Sequence, residues 1–125
     1  MSGTFEDLLA WQRAMDLVFQ VYRDTEAFPK HEMFGPTSQL PRASVSVASN
    51  VAEGKGRGSE KELIQFLNCS RGSVYEIQTQ LRIAQRLGYL TDKQATALRE
   101  KSDEVGRLLN GLIKSFTRVG AARRA

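Results

Sequence analysis

Between Gln39 and Ser59 the chain reads QLPRASVSVASNVAEGKGRGS, a helix of small residues that runs into a basic, glycine-punctuated turn and then directly into another helix. At about 100° per residue, Leu40, Ala43, Val45, Val47, Ala48, Val51 and Ala52 sweep an arc of roughly 200°, well beyond the ~100° stripe of an ordinary surface helix. A helix this apolar and this small-sided requires neighbours on two flanks. The remaining arc holds Arg42, Ser46, Ser49, Asn50 and Glu53, polar groups close to a buried surface that need a hydrogen-bonding partner or water.

The flanking sequence supplies three more helices. Thr4 as N-cap, with Asp7 in a box-like position, opens a first helix expected over Phe5 to Ala27. Leu8, Trp11, Met15, Val18 and Tyr22 keep helical spacing and read as its core seam, while Ala10, Ala14, Leu17 and Val21 extend the apolar arc round a second side. Two helices therefore carry more apolar surface than one small bundle uses, which on a soluble chain points to self-association. A loop from Phe28 to Gly35 leads to the small-residue helix, with Pro36 at its first position. Pro41 is expected to kink that helix or delay its start, and Gly54 to close it as a left-handed residue after Glu53.

Ser59 and Glu62 fit a capping box at the start of a third helix that runs to Leu87 and stops at Gly88. Its seam reads Leu63, Phe66, Leu67, Ser70, Val74, Ile77, Leu81 and Ala84; Gly72 in mid-helix suggests a close approach by a neighbour. Thr91 caps a fourth helix with the seam Ala95, Leu98, Ser102, Val105, Leu109, Leu112, Ile113 and Phe116. The predicted architecture is all-α, an antiparallel up-down four-helix bundle over residues 1–120, with 121–125 a disordered basic tail. No strand pattern or solenoid repeat competes.

A length of 125 residues suits one domain with a core of its own. One cysteine, Cys69, rules out an internal disulfide and, with one histidine, a zinc cluster, so a reducing cytoplasm is the natural compartment. The acidic, soon amphipathic N-terminus does not read as a secretory signal, and no apolar run approaches the ~18 residues of a membrane span. Catalysis finds little support. His31 lies in a loop with no nucleophile assigned to it by spacing, and the inward Glu-x-x-His ligands of a dinuclear site are missing. Glu53 and Glu76, beside the apolar seams, read as structural acceptors, with Arg42 or groups on each other's helices as candidate partners; with Arg42 and Asn50 they form a structural polar motif. No catalytic residue, metal or cofactor is expected.

Charge is more informative in its placement than in its sum, +4 from 18 basic and 14 acidic residues. Arg71, Arg82 and Arg86, with Tyr75, lie along one face of the third helix; Arg107, Lys114 and Arg118 lie along one face of the fourth. Lys55 and Arg57 sit in the glycine turn ahead of a helix N-terminus, where free N–H groups favour anions. A line of cations suffices for phosphate-backbone contact, whereas base reading needs specific donors in a groove. Two readings stay open for these stripes: contact with nucleic acid, or salt bridges to acids on neighbouring helices. The turn, likewise, is either a phosphate contact or a plain helix connection, since it lacks the spacing of a P-loop and follows a helix.

Trp11 with Ala14, Phe28-Pro29 with Glu32, then Ser38-Gln39-Leu40, Arg42-Ala43, Ser46, Ser49-Asn50, Ala52-Glu53-Gly54, Ser59, Phe66-Leu67, Gly72-Ser73, Glu76 and Gly88-Tyr89-Leu90 form an ordered run over nearly the whole chain. It resembles the bacterial four-helix bundle proteins encoded by intervening sequences of 23S ribosomal RNA genes. The resemblance implies a homopentamer around a central axis, and a role largely unassigned. More distantly, the accessory protein of diversity-generating retroelements is similar in fold and binds nucleic acid and a reverse transcriptase through basic surfaces. The chain departs from the family pattern at Pro41, where a basic residue is more usual. The expectation is a non-enzymatic cytoplasmic homo-oligomer that binds RNA or DNA through the stripes. A scaffold for a nucleic-acid-handling protein, such as a polymerase, is the alternative; no membrane partner is expected.

Overall fold

The structure, a computed structural model, describes residues 3–31 and 35–124, the stretch 119–124 by backbone alone. It is all-α, with four helices and, among the described residues, no strand. A short 3-10 turn, Phe5–Asp7, precedes α1 (Leu9–Thr25), α2 (Pro36–Lys55), α3 (Glu60–Arg86) and α4 (Asp92–Arg124).

The caps explain these boundaries. Thr4 makes the expected capping box with Asp7, but around the 3-10 turn only: Leu8 is extended (φ −77°, ψ 125°), so the first helix is broken there and α1 begins at Leu9. Ser59 accepts a hydrogen bond from the Glu62 N–H at 3.1 Å at the start of α3. Beyond Arg86 the Tyr89 N–H reaches the Ala84 carbonyl at 2.9 Å and the Gly88 N–H that of Gln85 at 3.0 Å, a Schellman closure with Gly88 left-handed at φ +78°. Thr91 and Gln94 then cap α4 reciprocally, side chain to backbone N–H in both directions. The α4 backbone is helical through Arg124, past the expected end at Gly120; the side chains of Arg123 and Arg124, and all of Ala125, lie outside the described residues, as does Glu32 of the α1–α2 loop.

Pro41 neither breaks nor delays α2, which runs through it from Pro36. The proline removes one backbone hydrogen bond, but Leu40 and Ala43 on either side are buried and hold that turn in place. Gly54 is not the left-handed terminus either. It is helical and buried, and α2 ends one residue beyond it, with the Gly56 N–H satisfying the carbonyls of Ala52 and Glu53.

The seams of α3 and α4 match the sequence pattern: Leu63, Leu67, Ser70, Val74, Ile77, Leu81 and Ala84 are buried, as are Ala95, Leu98, Ser102, Val105 and Leu109. Phe66, Leu112, Ile113 and Phe116 are half-buried. On α1 the expectation inverts. The buried face is Ala10, Ala14, Leu17, Val21 and Thr25, whereas Trp11, Met15 and Val18 are half-buried at its edge and Tyr22 is 52% exposed. Small side chains let the helices approach closely, and the bulkier, part-polar rings are left at the margin.

Cross-helix pairs fix the register. From one end of α3 to the other, Gln85 bonds Asp92, Gln78 bonds Asp103 and Arg71 bonds Asn110, so numbers fall along α3 as they rise along α4. Between α2 and α3 the Ser70 hydroxyl donates to the Val47 carbonyl at 2.6 Å and Ser73 meets Ser46 at 2.9 Å. Arg13 of α1 lies 3.8 Å from Glu104 of α4. The close approach expected at Gly72 is found at Gly54 instead: a Cβ built on Gly54 would stand 2.7 Å from Phe66 Cβ, while one on Gly72 meets nothing within 4 Å.

Candidate nucleic-acid interface

The antiphase numbering of α3 and α4 brings the two basic stripes together at one place. Arg71, Tyr75 and Gln78 from α3 and Asp103, Arg107 and Asn110 from α4 line a surface groove of about 240 Å³, floored by Val74 and Gly106. Arg71 donates to Asn110 Oδ1 at 3.1 Å across the groove and to Asn68 Oδ1 at 2.8 Å on its own helix. Both acceptors are neutral amides, so they orient the guanidinium and leave its charge uncompensated. At the far end Gln78 donates to Asp103 Oδ1 at 2.7 Å, so the negative end of the groove is also held in place. Tyr75 sits one turn from Arg71 and is 60% exposed.

The other expected contact residues are spread out. Arg82 and Arg86 line a separate hollow further along α3 with Thr79, Ile83 and Gln85, and Arg82 donates to the Gln78 carbonyl at 2.9 Å. Lys114 and Arg118 are exposed on α4 beyond the groove. Among the described residues the ion pairs are Arg13 with Asp16, Arg13 with Glu104, and Arg57 with Glu53. Among the described residues, neither the stripe arginines nor Lys114 lies within ion-pair distance of a carboxylate.

The glycine turn is engaged differently. Arg57 bonds Glu53 Oε1 at 3.2 Å and lies 5.0 Å from the centroid of the Phe66 ring, so it staples the α2–α3 turn onto α3. The N-terminus of α3 is served by Ser59 and followed by Glu60 and Glu62, acids that compete with an incoming anion for the same dipole. Lys55 is half-buried at the end of α2.

Glu53 thus pairs with Arg57 and not with Arg42, which is exposed. One turn of helix separates Glu53 from Arg57, whereas Arg42 lies three turns away. Asn50 donates to both the carbonyl and the hydroxyl of Ser46, at 2.9 and 3.0 Å, and Ser46 in turn meets Ser73, so this part of the polar stripe is a half-buried network between α2 and α3. Glu76 is exposed, on the face of α3 away from the core, and does not line the seam. His31 and Cys69 are exposed. Among the described residues no group of three His, Cys, Asp or Glu side chains is placed to hold a metal, and no helix is long and apolar enough to cross a membrane.

Sequence reasoning did not single out Gln78, Asp103 and Asn110, because only the α3–α4 register carries them to the groove. It also missed a hollow of about 640 Å³ whose lining includes Phe19, Tyr22, Glu26, Lys30, Thr37 and Pro41. There the Thr37 hydroxyl holds the Pro29 carbonyl at 2.7 Å and fixes the loop against the start of α2.

No curated protein matches the chain. A crystal structure of a protein of unknown function from the S23 ribosomal protein family of Bacteroides thetaiotaomicron superposes with a TM-score of 0.78, over 85% of this chain and 96% of that one, at 20% identity. At that identity the likeness is one of fold. Residues 6–111, spanning all four helices as far as the groove residue Asn110, match the family of 23S rRNA-intervening sequence proteins, and the chain belongs to that family.

Proposed function

We propose that this protein is a non-enzymatic, cytoplasmic homo-oligomer of antiparallel up-down four-helix bundles that binds RNA or DNA weakly and without sequence preference, through the phosphate backbone. The observation that carries the reading is that Arg71, Arg82, Arg86, Arg107, Lys114 and Arg118 have no ion-pair partner among the described residues. Each such cation that neutralises a phosphate releases condensed counterions, so affinity falls with salt by about 0.7–0.9 log units per contact and decade. If all six engage, the slope of log affinity against log salt is about −4 to −5. Electrophoretic shifts of a structured RNA and a duplex DNA across a salt series measure it; no shift by either at low salt overturns the reading.

The cross-helix pairs support the antiparallel arrangement: α3 and α4 run in opposite numerical order, and on α1 Arg13 lies by Glu104 while Leu9 and Ala10 share a hollow with Leu108 and Leu112, so the opposite order extends to α1 and α4. Oligomerisation is supported by Phe19, 60% exposed, together with Leu9, Tyr22 and Val45, apolar side chains that α1 and α2 leave uncovered. A pentamer is what family membership suggests, and light scattering coupled to size exclusion tests it; a monomer would remove that part of the proposal. Two exposed carboxylates, Glu53 held by Arg57 and Glu76 out in solvent, support a non-enzymatic role.

The second reading, a scaffold for a nucleic-acid-handling protein such as a polymerase, draws on the hollow beside Phe19 and Tyr22, where apolar rings meet Arg23, Glu26 and Lys30. A stoichiometric protein retained through nuclease treatment, with no shift of free RNA, would favour it.

A further inference from the structure

We infer that the α3–α4 groove is a single-strand site, in which one unpaired base stacks on Tyr75 while its phosphates lie against Arg71 and Arg107. This rests on the nucleic-acid reading above and adds a substrate class to it. Tyr75 is 60% exposed in mid-α3, one turn from Arg71 and in the same groove as Arg107. An aromatic ring presented to solvent between cations from two helices is the arrangement of a stacking platform, since every base has a π-face and none needs hydrogen-bond readout. A duplex keeps its bases inside the stack and offers the ring nothing to cover.

Charge within the groove sets the path of the strand. Arg71 is aimed across it by Asn68 and Asn110, neutral acceptors that leave the charge intact. Asp103, held by Gln78, lies at the opposite end, and exposed Glu100 lies about one turn before it on α4. A strand continuing that way meets repulsion; in the other direction it meets Lys114 and Arg118, exposed on α4. The groove therefore admits a strand from the Lys114 side, with a base turned onto Tyr75 before the acidic stretch.

The test uses the full chain and three labelled probes: an unstructured single-stranded RNA, the same sequence as a duplex, and an abasic strand of equal length. The expected result is that Tyr75→Ala weakens the single strand roughly 5- to 150-fold, the equivalent of the ~1–3 kcal/mol that one stacked base contributes, and leaves the duplex and abasic strand unchanged. Tyr75→Phe retains affinity. Arg71→Ala and Arg107→Ala weaken the single and abasic strands alike and each lower the salt slope by about one. Equal responses of all three probes to Tyr75→Ala, or none, overturn the single-strand site while a cation effect keeps the broader reading. Loss of the oligomer on Tyr75→Ala, seen by light scattering, also overturns it, because the ring would then be packing against another copy. If no probe binds even to the unmodified chain, both readings fall.

Discussion

Replacing Gly54 by alanine adds one methyl group at the tightest point between α2 and α3. The new Cβ would lie 2.7 Å from Phe66 Cβ, 3.2 Å from Leu63 Cδ1 and 3.3 Å from the Leu63 carbonyl oxygen. Carbon atoms rest at about 3.5–4.0 Å, so α2 and α3 must separate locally by about 1 Å. A rotamer change cannot relieve it, because Phe66 Cβ and the Leu63 carbonyl move only with the α3 backbone. Overpacking of this kind costs about 1–3 kcal/mol, and the helix-propensity gain of alanine over glycine returns at most ~1 kcal/mol. The net expectation is a loss of about 0–2 kcal/mol. Gly72→Ala is the internal control: the same chemical change in a helix interior, with nothing within 4 Å of the new methyl. It should keep the full propensity gain and stabilise by up to ~1 kcal/mol. The two variants should therefore differ by about 1–3 kcal/mol, the overpacking cost alone, in urea unfolding followed by far-UV circular dichroism. Both variants are measured at equal protein concentration, because any self-association would feed into apparent stability. Equal stabilities of the two variants would refute the close approach as the reason for that glycine.

Three further outcomes are expected. Ser70→Ala removes a fully buried hydroxyl that bonds the Val47 carbonyl at 2.6 Å, and should cost about 1 kcal/mol in the same unfolding assay. Gly88→Ala forces a side chain into φ +78° and should cost about 1–2 kcal/mol, seen as a lower thermal midpoint with helix content unchanged. Arg107→Glu combined with Lys114→Glu should leave unfolding nearly unchanged, as both are exposed, yet flatten the salt dependence of RNA binding by at least ~2 in slope; an unchanged slope removes both from the interface.

How far the sequence carries this fold depends on what kind of signal each element has. Ser59, Thr91 and Gly88 act at helix ends as their identities suggest, and Thr4 caps the short turn before α1, because capping is decided within a few residues. The seams of α3 and α4 were legible since the apolar residues of each repeat at helical spacing along one continuous face. Helix α1 has two adjoining apolar faces. Hydrophobicity alone favours Trp11, Met15 and Tyr22, but packing distance favours Ala10, Ala14 and Leu17, and only the tertiary arrangement chooses between them. Gly54 and Gly72 look alike in sequence, one near a helix end and one in mid-helix, and their roles follow from which neighbour passes by. For the candidate interface, the cations and their faces could be read from spacing. Whether Arg71 finds an acid, an amide or solvent depends on the register of α4 against α3, which spacing within one helix does not encode.

The closure of α3 onto α4 bears on how the chain reaches its native state. The Schellman turn at Gly88 and the reciprocal cap at Thr91 and Gln94 lie within a few residues of each other, and they aim two long helices back along one another. Closing so short a loop has a small entropic cost, and the pairs that follow, Gln85 with Asp92 and then Gln78 with Asp103, can form in sequence like a zipper. Helices α1 and α2 are joined by a longer loop, and α1 must meet α4 across most of the chain. Folding should start in the α3–α4 hairpin, with mutational φ-values near the turn higher than those at the α1–α4 contact; the reverse order in a φ-value series would dismiss it. A chain emerging from the ribosome would then hold its uncovered α1 and α2 surfaces until its last two helices have paired, so early association between copies becomes a competitor of folding itself.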